Sequence, residues 1–147
     1  MIRVHGTSVA LDGAGVLLRG PSGAGKSDLA LRLIDGGAAL VADDQTELRR
    51  VGAGLRMSAP PTIAGLLEVR GVGILRLPSV PSAILRLVVT LAPGVTIERL
   101  PEPRECRFLD CAVREIALAA FEASTPAKLR LALRAVDASA SAAASAL

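Results

Sequence analysis

The sequence contains no Trp or Tyr, and Phe108 and Phe121 are its only aromatic residues. A protein that holds single-stranded nucleic acid presents several rings for bases to stack on, so this shortage argues against that class. Cysteine is almost as scarce. Cys106 and Cys111 are too few for a disulfide framework, and their spacing fits no common zinc pattern. With His5 the sole histidine, a structural zinc site would have to draw on carboxylates. Hydrophobic residues make up 51% of the chain, yet no apolar run reaches the roughly 18 residues that a membrane span needs. The opening Met1-Ile2-Arg3-Val4-His5-Gly6 lacks the basic and apolar blocks of a signal peptide. A cytoplasmic protein without membrane or nucleic-acid partners is the expectation. Lysine is nearly absent too: Lys26 and Lys128 stand against fifteen arginines. The resulting net charge of +3 is scattered along the chain, which suits an acidic ligand or an acidic protein partner.

What is present reads as one α/β domain over residues 1–138, followed by an Ala/Ser-rich tail, 139–147, expected to fray. Thr7–Leu11 and Val16–Arg19 have strand character and are separated by Asp12-Gly13-Ala14-Gly15, a hairpin spacer. A helix follows from Lys26, with Leu29, Leu33 and Ile34 on one face, and Gly36-Gly37 ends it. Ala38–Ala42 is a short apolar strand that runs into Asp43-Asp44. Glu47–Val51 and Leu55–Ser58 form a second hairpin around Gly52-Ala53-Gly54. Leu85–Leu91 is nearly all apolar, as a strand buried on both faces should be. Val113–Leu118 reads equally well as strand or helix. Thr125-Pro126 opens a last helix in the favoured order of cap and proline, with Leu129, Leu133 and Val136 as its apolar stripe.

Gly20-Pro21-Ser22-Gly23-Ala24-Gly25-Lys26-Ser27 satisfies the P-loop pattern G-x-x-x-x-G-K-[ST] at every position. Glycines let the backbone curl until successive N–H groups face one concavity, which suits anionic oxygens. The helix that follows adds its positive N-terminal end. In such a loop the lysine reaches the β- and γ-phosphates and the serine hydroxyl is placed for Mg²⁺. A strand leading in and an amphipathic helix leading out strengthen the match. Asp43-Asp44 lies at a strand end eighteen residues beyond Lys26 at its far member. An acid there could serve as general base or hold Mg²⁺; a solvated turn is the plain alternative. In an extended chain two neighbouring carboxylates point to opposite sides, so only a turn would bring both into one site. Glu68, in Glu68-Val69-Arg70-Gly71-Val72-Gly73-Ile74, could be a metal ligand, with Arg70 a phosphate clamp; the same residues also read as a strand with a glycine bulge. His5 alone reads as an exposed terminal histidine, and Arg99, in Glu98-Arg99-Leu100, as either a solvated loop arginine or an arginine finger. The lack of Trp and Tyr leaves base recognition to aliphatic and backbone contacts.

Taken in order, His5-Gly6, Gly20–Ser27, Val41-Ala42-Asp43-Asp44 and Leu67–Leu75 resemble the catalytic domain of the bacterial HPr kinase/phosphorylase family. The similarity is clearest over roughly residues 1–80. It implies a P-loop fold related to that of phosphoenolpyruvate carboxykinase, with a mixed central sheet and flanking helices. It also implies Mg-ATP-dependent phosphorylation of a serine on the phosphocarrier HPr, or an HPr-like carrier, with phosphorolysis as the reverse reaction. By the same resemblance Lys26 and the P-loop hold ATP, and Ser27 and Glu68 ligate Mg²⁺. Asp44, with Asp43 beside it, accepts the serine proton; His5 is an active-site residue, and Arg99 matches a further catalytic arginine. The family's members assemble as hexamers, so a homo-oligomer is expected. Only four residues precede His5, where the family carries a separate N-terminal domain, and its late Pro-Gly arginine motif is missing; a short form is expected. A P-loop small-molecule kinase, or a nucleotide sensor without transfer activity, are the alternatives.

Overall fold

The computed structural model describes residues 1–94 and 96–146, with side chains as far as Ala138. The elements, in chain order, are strands β1 (Ile2–His5), β2 (Thr7–Leu11) and β3 (Ala14–Arg19), helix α1 (Lys26–Asp35), and strands β4 (Ala39–Ala42), β5 (Gln45–Val51) and β6 (Gly54–Ser58). A 3-10 turn at Pro61–Ile63 leads to β7 (Leu66–Val69), β8 (Gly73–Arg76), β9 (Ser82–Leu91), β10 (Arg104–Phe108), β11 (Cys111–Leu118) and helix α2 (Thr125–Ala146). Among the described residues, nine strands form one sheet, and β7 and β8 form a separate two-stranded one.

The β2–β3 hairpin is tighter than the sequence suggests. Asp12 and Gly13 alone make the turn, both at positive φ, and Leu11 pairs with Ala14. Both residues tolerate the left-handed conformation that a two-residue turn demands. β3 then lies parallel to β9, which is the centre of the sheet. The opposite edge of β9 is divided. Its first residues, Ser82–Ile84, pair with β6, and Leu87–Leu91 pair in parallel with β11. That pairing decides the helix-or-strand ambiguity of Val113–Leu118 in favour of a strand. The full order is β1-β5-β6-β9-β3-β2-β4, with β11 and β10 branching from β9.

Alternation along β3 and β9 feeds two cores. Val16, Leu18, Leu87, Val89 and Leu91 face a cluster completed by Leu29 and Leu33 of α1 and by Leu129 and Leu133 of α2. Leu17, Leu85 and Val88 face the other way, onto Leu48, Leu55, Met57 and Val113. Both helices therefore lie on one face, and the sheet curls over its own second face, which is why Leu85–Leu91 shows so little polar alternation. Burying each such leucine stabilises the fold by about 2 kcal/mol. β1 and β10 are additional to the strands expected from the sequence, and the stretch that also read as one strand with a glycine bulge is the β7–β8 hairpin. Thr125 begins α2, and its hydroxyl donates to the Ala119 carbonyl instead of capping the helix. α2 continues to Ala146; the side chains of 139–146, and all of Leu147, in the tail expected to fray, lie outside the described residues.

Candidate active site

The P-loop joins the end of β3 to the start of α1. Gly25 caps the helix at φ 100, a left-handed value that favours glycine. A Cβ there would also stand 2.7 Å from the Phe121 ring and 2.9 Å from the Ala120 methyl. Lys26 is buried, and its ammonium donates to the carbonyls of Gly20 (2.7 Å) and Pro21 (2.9 Å). Two of its three donors are thus engaged. Among the described residues no carboxylate pairs with it. A buried cation without a counter-charge is costly, so the loop is built to receive an anion.

Asp44 stands at the other side of the same hollow, and Asp43 is tied to the residues that line it. Asp43 Oδ1 accepts hydrogen bonds from the hydroxyls of Ser27 (2.8 Å) and Thr7 (3.0 Å), and its Oδ2 accepts the Glu68 backbone N–H at 3.3 Å. The next residue breaks the strand: Asp44 has φ 65, and Gln45 N–H bonds back to the Asp43 carbonyl at 2.7 Å. This three-residue turn defeats the alternation that would send neighbouring side chains apart. Asp44 accordingly reaches the cavity, while its Oδ1 sits 3.0 Å from His5 Nε2. Thr7 ties the pair together by also accepting the Asp44 backbone N–H at 3.2 Å.

The cavity encloses about 390 Å³. Ser22, Gly23, Gly25, Lys26 and Ser27 form its floor, Thr7 and Asp44 one side, and Leu67–Arg70 of the β7–β8 hairpin another. Pro21 and Ala24 belong to the loop without lining it; Ala24 N–H bonds the Pro21 carbonyl at 3.0 Å, and Ala24 is buried beneath. The Glu68–Ile74 stretch is a hairpin, so Glu68 and Arg70 are both delivered to the rim. Arg99 is not brought there. It lies exposed in the loop after β9, outside the residues that line the cavity. Four lining residues escaped the sequence reading: Thr7, Asp28, Leu31 and Phe121. Thr7 carries no motif, and Phe121 follows β11 at a point where no pattern marks a site.

The Ser27 hydroxyl and the Asp43 carboxylate, joined at 2.8 Å, and the Glu68 carboxylate at the rim are hard oxygen donors of the kind Mg²⁺ takes, although among the described residues no three His, Cys, Asp or Glu side chains stand together as a formed metal cluster. Such an ion, when bound, would neutralise phosphate charge beside Lys26.

The family model of the HPr serine kinase C-terminal domain matches residues 1–122. The chain belongs to that family. Among curated HPr kinase/phosphorylase relatives of this domain, one from an Exiguobacterium strain is 50% identical over 76 residues, 51% of this chain and 24% of its own length. One from Leptothrix cholodnii is 41% identical over 128 residues, 78% of this chain and 39% of the relative. The chain thus spans about a quarter to two fifths of these relatives. The solved structure of the Hpr(Ser) kinase/phosphatase from Coxiella burnetii shares the fold, with a TM-score of 0.86 and 24% identity. That match covers 99% of this chain and 96% of the other. The P-loop fold with a mixed sheet, expected of an HPr kinase catalytic domain, is therefore the fold observed.

Proposed function

We propose that this chain is an Mg-ATP-dependent kinase that phosphorylates a serine of HPr or an HPr-like phosphocarrier in the cytoplasm. One observation carries the reading. A buried Lys26 without a carboxylate partner among the described residues shares one cavity with Asp44, and Asp43 is hydrogen-bonded to the cavity's Ser27 and Thr7. The loop and Lys26 bind the triphosphate, and Ser27, Asp43 and Glu68 hold Mg²⁺. Asp44 takes the proton of the serine hydroxyl as its oxygen attacks the γ-phosphorus and ADP departs. His5 orients the Asp44 carboxylate through their 3.0 Å contact. Arg70 at the rim clamps phosphate oxygens; Arg99 would need the loop 92–103 to fold over the cavity before it could join it. Positioning and charge neutralisation supply most of the rate in such transfers.

The test is to incubate the protein with Mg²⁺, γ-labelled ATP and HPr. Label on an HPr serine supports the reading, and Asp44→Asn should reduce it by about 10²–10⁴-fold, the usual worth of a general base. ATP bound tightly without any transfer to HPr would overturn the kinase assignment.

A further inference from the structure

We propose that Phe121 is a stacking platform for the purine base, so that the nucleotide's base is held by its face and is little discriminated at its edges. This rests on the nucleotide reading above and adds to it the half of the ligand that the P-loop does not touch. Phe121 lines the same cavity as Ser22, Gly23 and Gly25, yet its surface is 68% exposed. Among the described residues it is the one aromatic ring that lines the cavity. A ring left open to water on the rim of a cavity is a large apolar surface in want of a partner.

Its position is the one a base requires. Ser27 and Asp28 are consecutive, so their side chains diverge by about 100° around the axis of α1. Ser27 turns toward Asp43, the side where the reacting phosphate must lie. Asp28 pairs with Arg32 one turn on, at 2.9 Å, and Arg32 in turn donates to the carbonyls of Ala120 and Glu122. The segment that carries Phe121 therefore sits on the other flank of the helix start. A nucleotide whose triphosphate follows the P-loop toward Asp43 has its base at that flank.

The segment that carries the ring is tied down through three of its carbonyls. The Ala119 carbonyl accepts the Thr125 hydroxyl, and the Glu122 carbonyl accepts both the Thr125 N–H at 3.1 Å and Arg32. Ala120 is buried, and Lys128 is paired with Glu122 at 3.1 Å. The carbonyls of residues 119, 120 and 122 are thus engaged before any ligand arrives. Every base has a π-face, so a site that stacks without reading edges accepts adenine and guanine alike.

The experiment is calorimetric titration of the whole chain with Mg²⁺ and ATP, GTP or inorganic tripolyphosphate. In the unaltered protein ATP and GTP should bind within a few-fold of each other, and both should bind about tenfold tighter than tripolyphosphate, as one stacked base contributes. Phe121→Ala should bring both nucleotides down to the tripolyphosphate level and leave tripolyphosphate unchanged. Phe121→Trp should restore nucleotide affinity and, as the chain's sole tryptophan, show fluorescence that nucleotides quench and tripolyphosphate does not. Unchanged ATP affinity in Phe121→Ala, or an equal loss for tripolyphosphate, would overturn the stacking role while leaving the P-loop intact. Failure of the unaltered protein to bind even tripolyphosphate would instead remove the P-loop reading, and this proposal with it.

Discussion

Asp44 combines a proton-accepting role with a backbone angle that few side chains accept. Asp and Asn are the non-glycine residues that best tolerate the left-handed region, so Asp44→Asn should keep the melting temperature while removing transfer. Asp44→Ala should lose the transfer and also about 1 kcal/mol of stability, read as roughly 2–4 °C in a domain of this size. Equal melting temperatures for the two variants would mean that the turn is unstrained. Lys26→Ala should weaken ATP binding by about 10- to 100-fold, the worth of a charge-assisted hydrogen bond in a sheltered site; titration checks it. The P-loop was legible because its chemistry is contiguous in sequence, and so was the acidic pair, once its place at a strand end is considered. Thr7 and Phe121 were not, because each gains its role from a neighbour that is distant along the chain: Asp43 for the threonine, Gly25 for the ring.

At the level of elements, the start of α1 is the tightest joint. Gly25→Ala adds a methyl between the helix, Ala120 and Phe121 at a positive φ. Urea unfolding should show a loss of about 1–3 kcal/mol. Phe121→Ala in the same chain should recover only part of it, since the backbone strain and the Ala120 contact remain. The β10–β11 hairpin teaches a different lesson. Its turn residues, Leu109 and Asp110, both have positive φ, yet they lack the Asn-Gly or Asp-Gly signature that announces such a turn. Without it, Arg104–Phe108 offered only an exposed, charge-rich edge, and no strand was expected. β1 was hidden similarly, a four-residue strand with alternate positions open to solvent. Within β10–β11, Cys106 lies opposite Val113 and Cys111 opposite Phe108, so the thiols are not cross-strand partners. Burial, with Glu115 nearby, pushes the Cys106 thiol above its ordinary 9.0. A raised value means less thiolate at any given pH. Iodoacetamide should therefore label Cys106 more slowly than an ordinary thiol near neutrality, with the rate climbing as pH passes 9.0. Fast labelling at pH 7 would contradict this environment.

For the whole molecule, ligand and fold should be thermodynamically linked. Mg-ATP at a hundred times its dissociation constant should add about 2.7 kcal/mol to stability. That corresponds to a melting shift of roughly 5–10 °C, most of which chelation of Mg²⁺ should reverse. The α/β class was readable from alternating strand and helix patterns. The placement of both helices on one face was not. It follows from the curl that lets strand side chains bury each other on the second face, and curl is a long-range property with no local signature.

The divided edge of β9 has a consequence for where the molecule can change. The strand that delivers the P-loop is seated against a partner anchored by two separate ladders on its far side, one near each end. Disturbance at the rims, whether at β1 or at β10, must undo one ladder while the other still holds. The phosphate cradle is in this sense insulated, and the rims are where grafted loops or substitutions should do least harm to it.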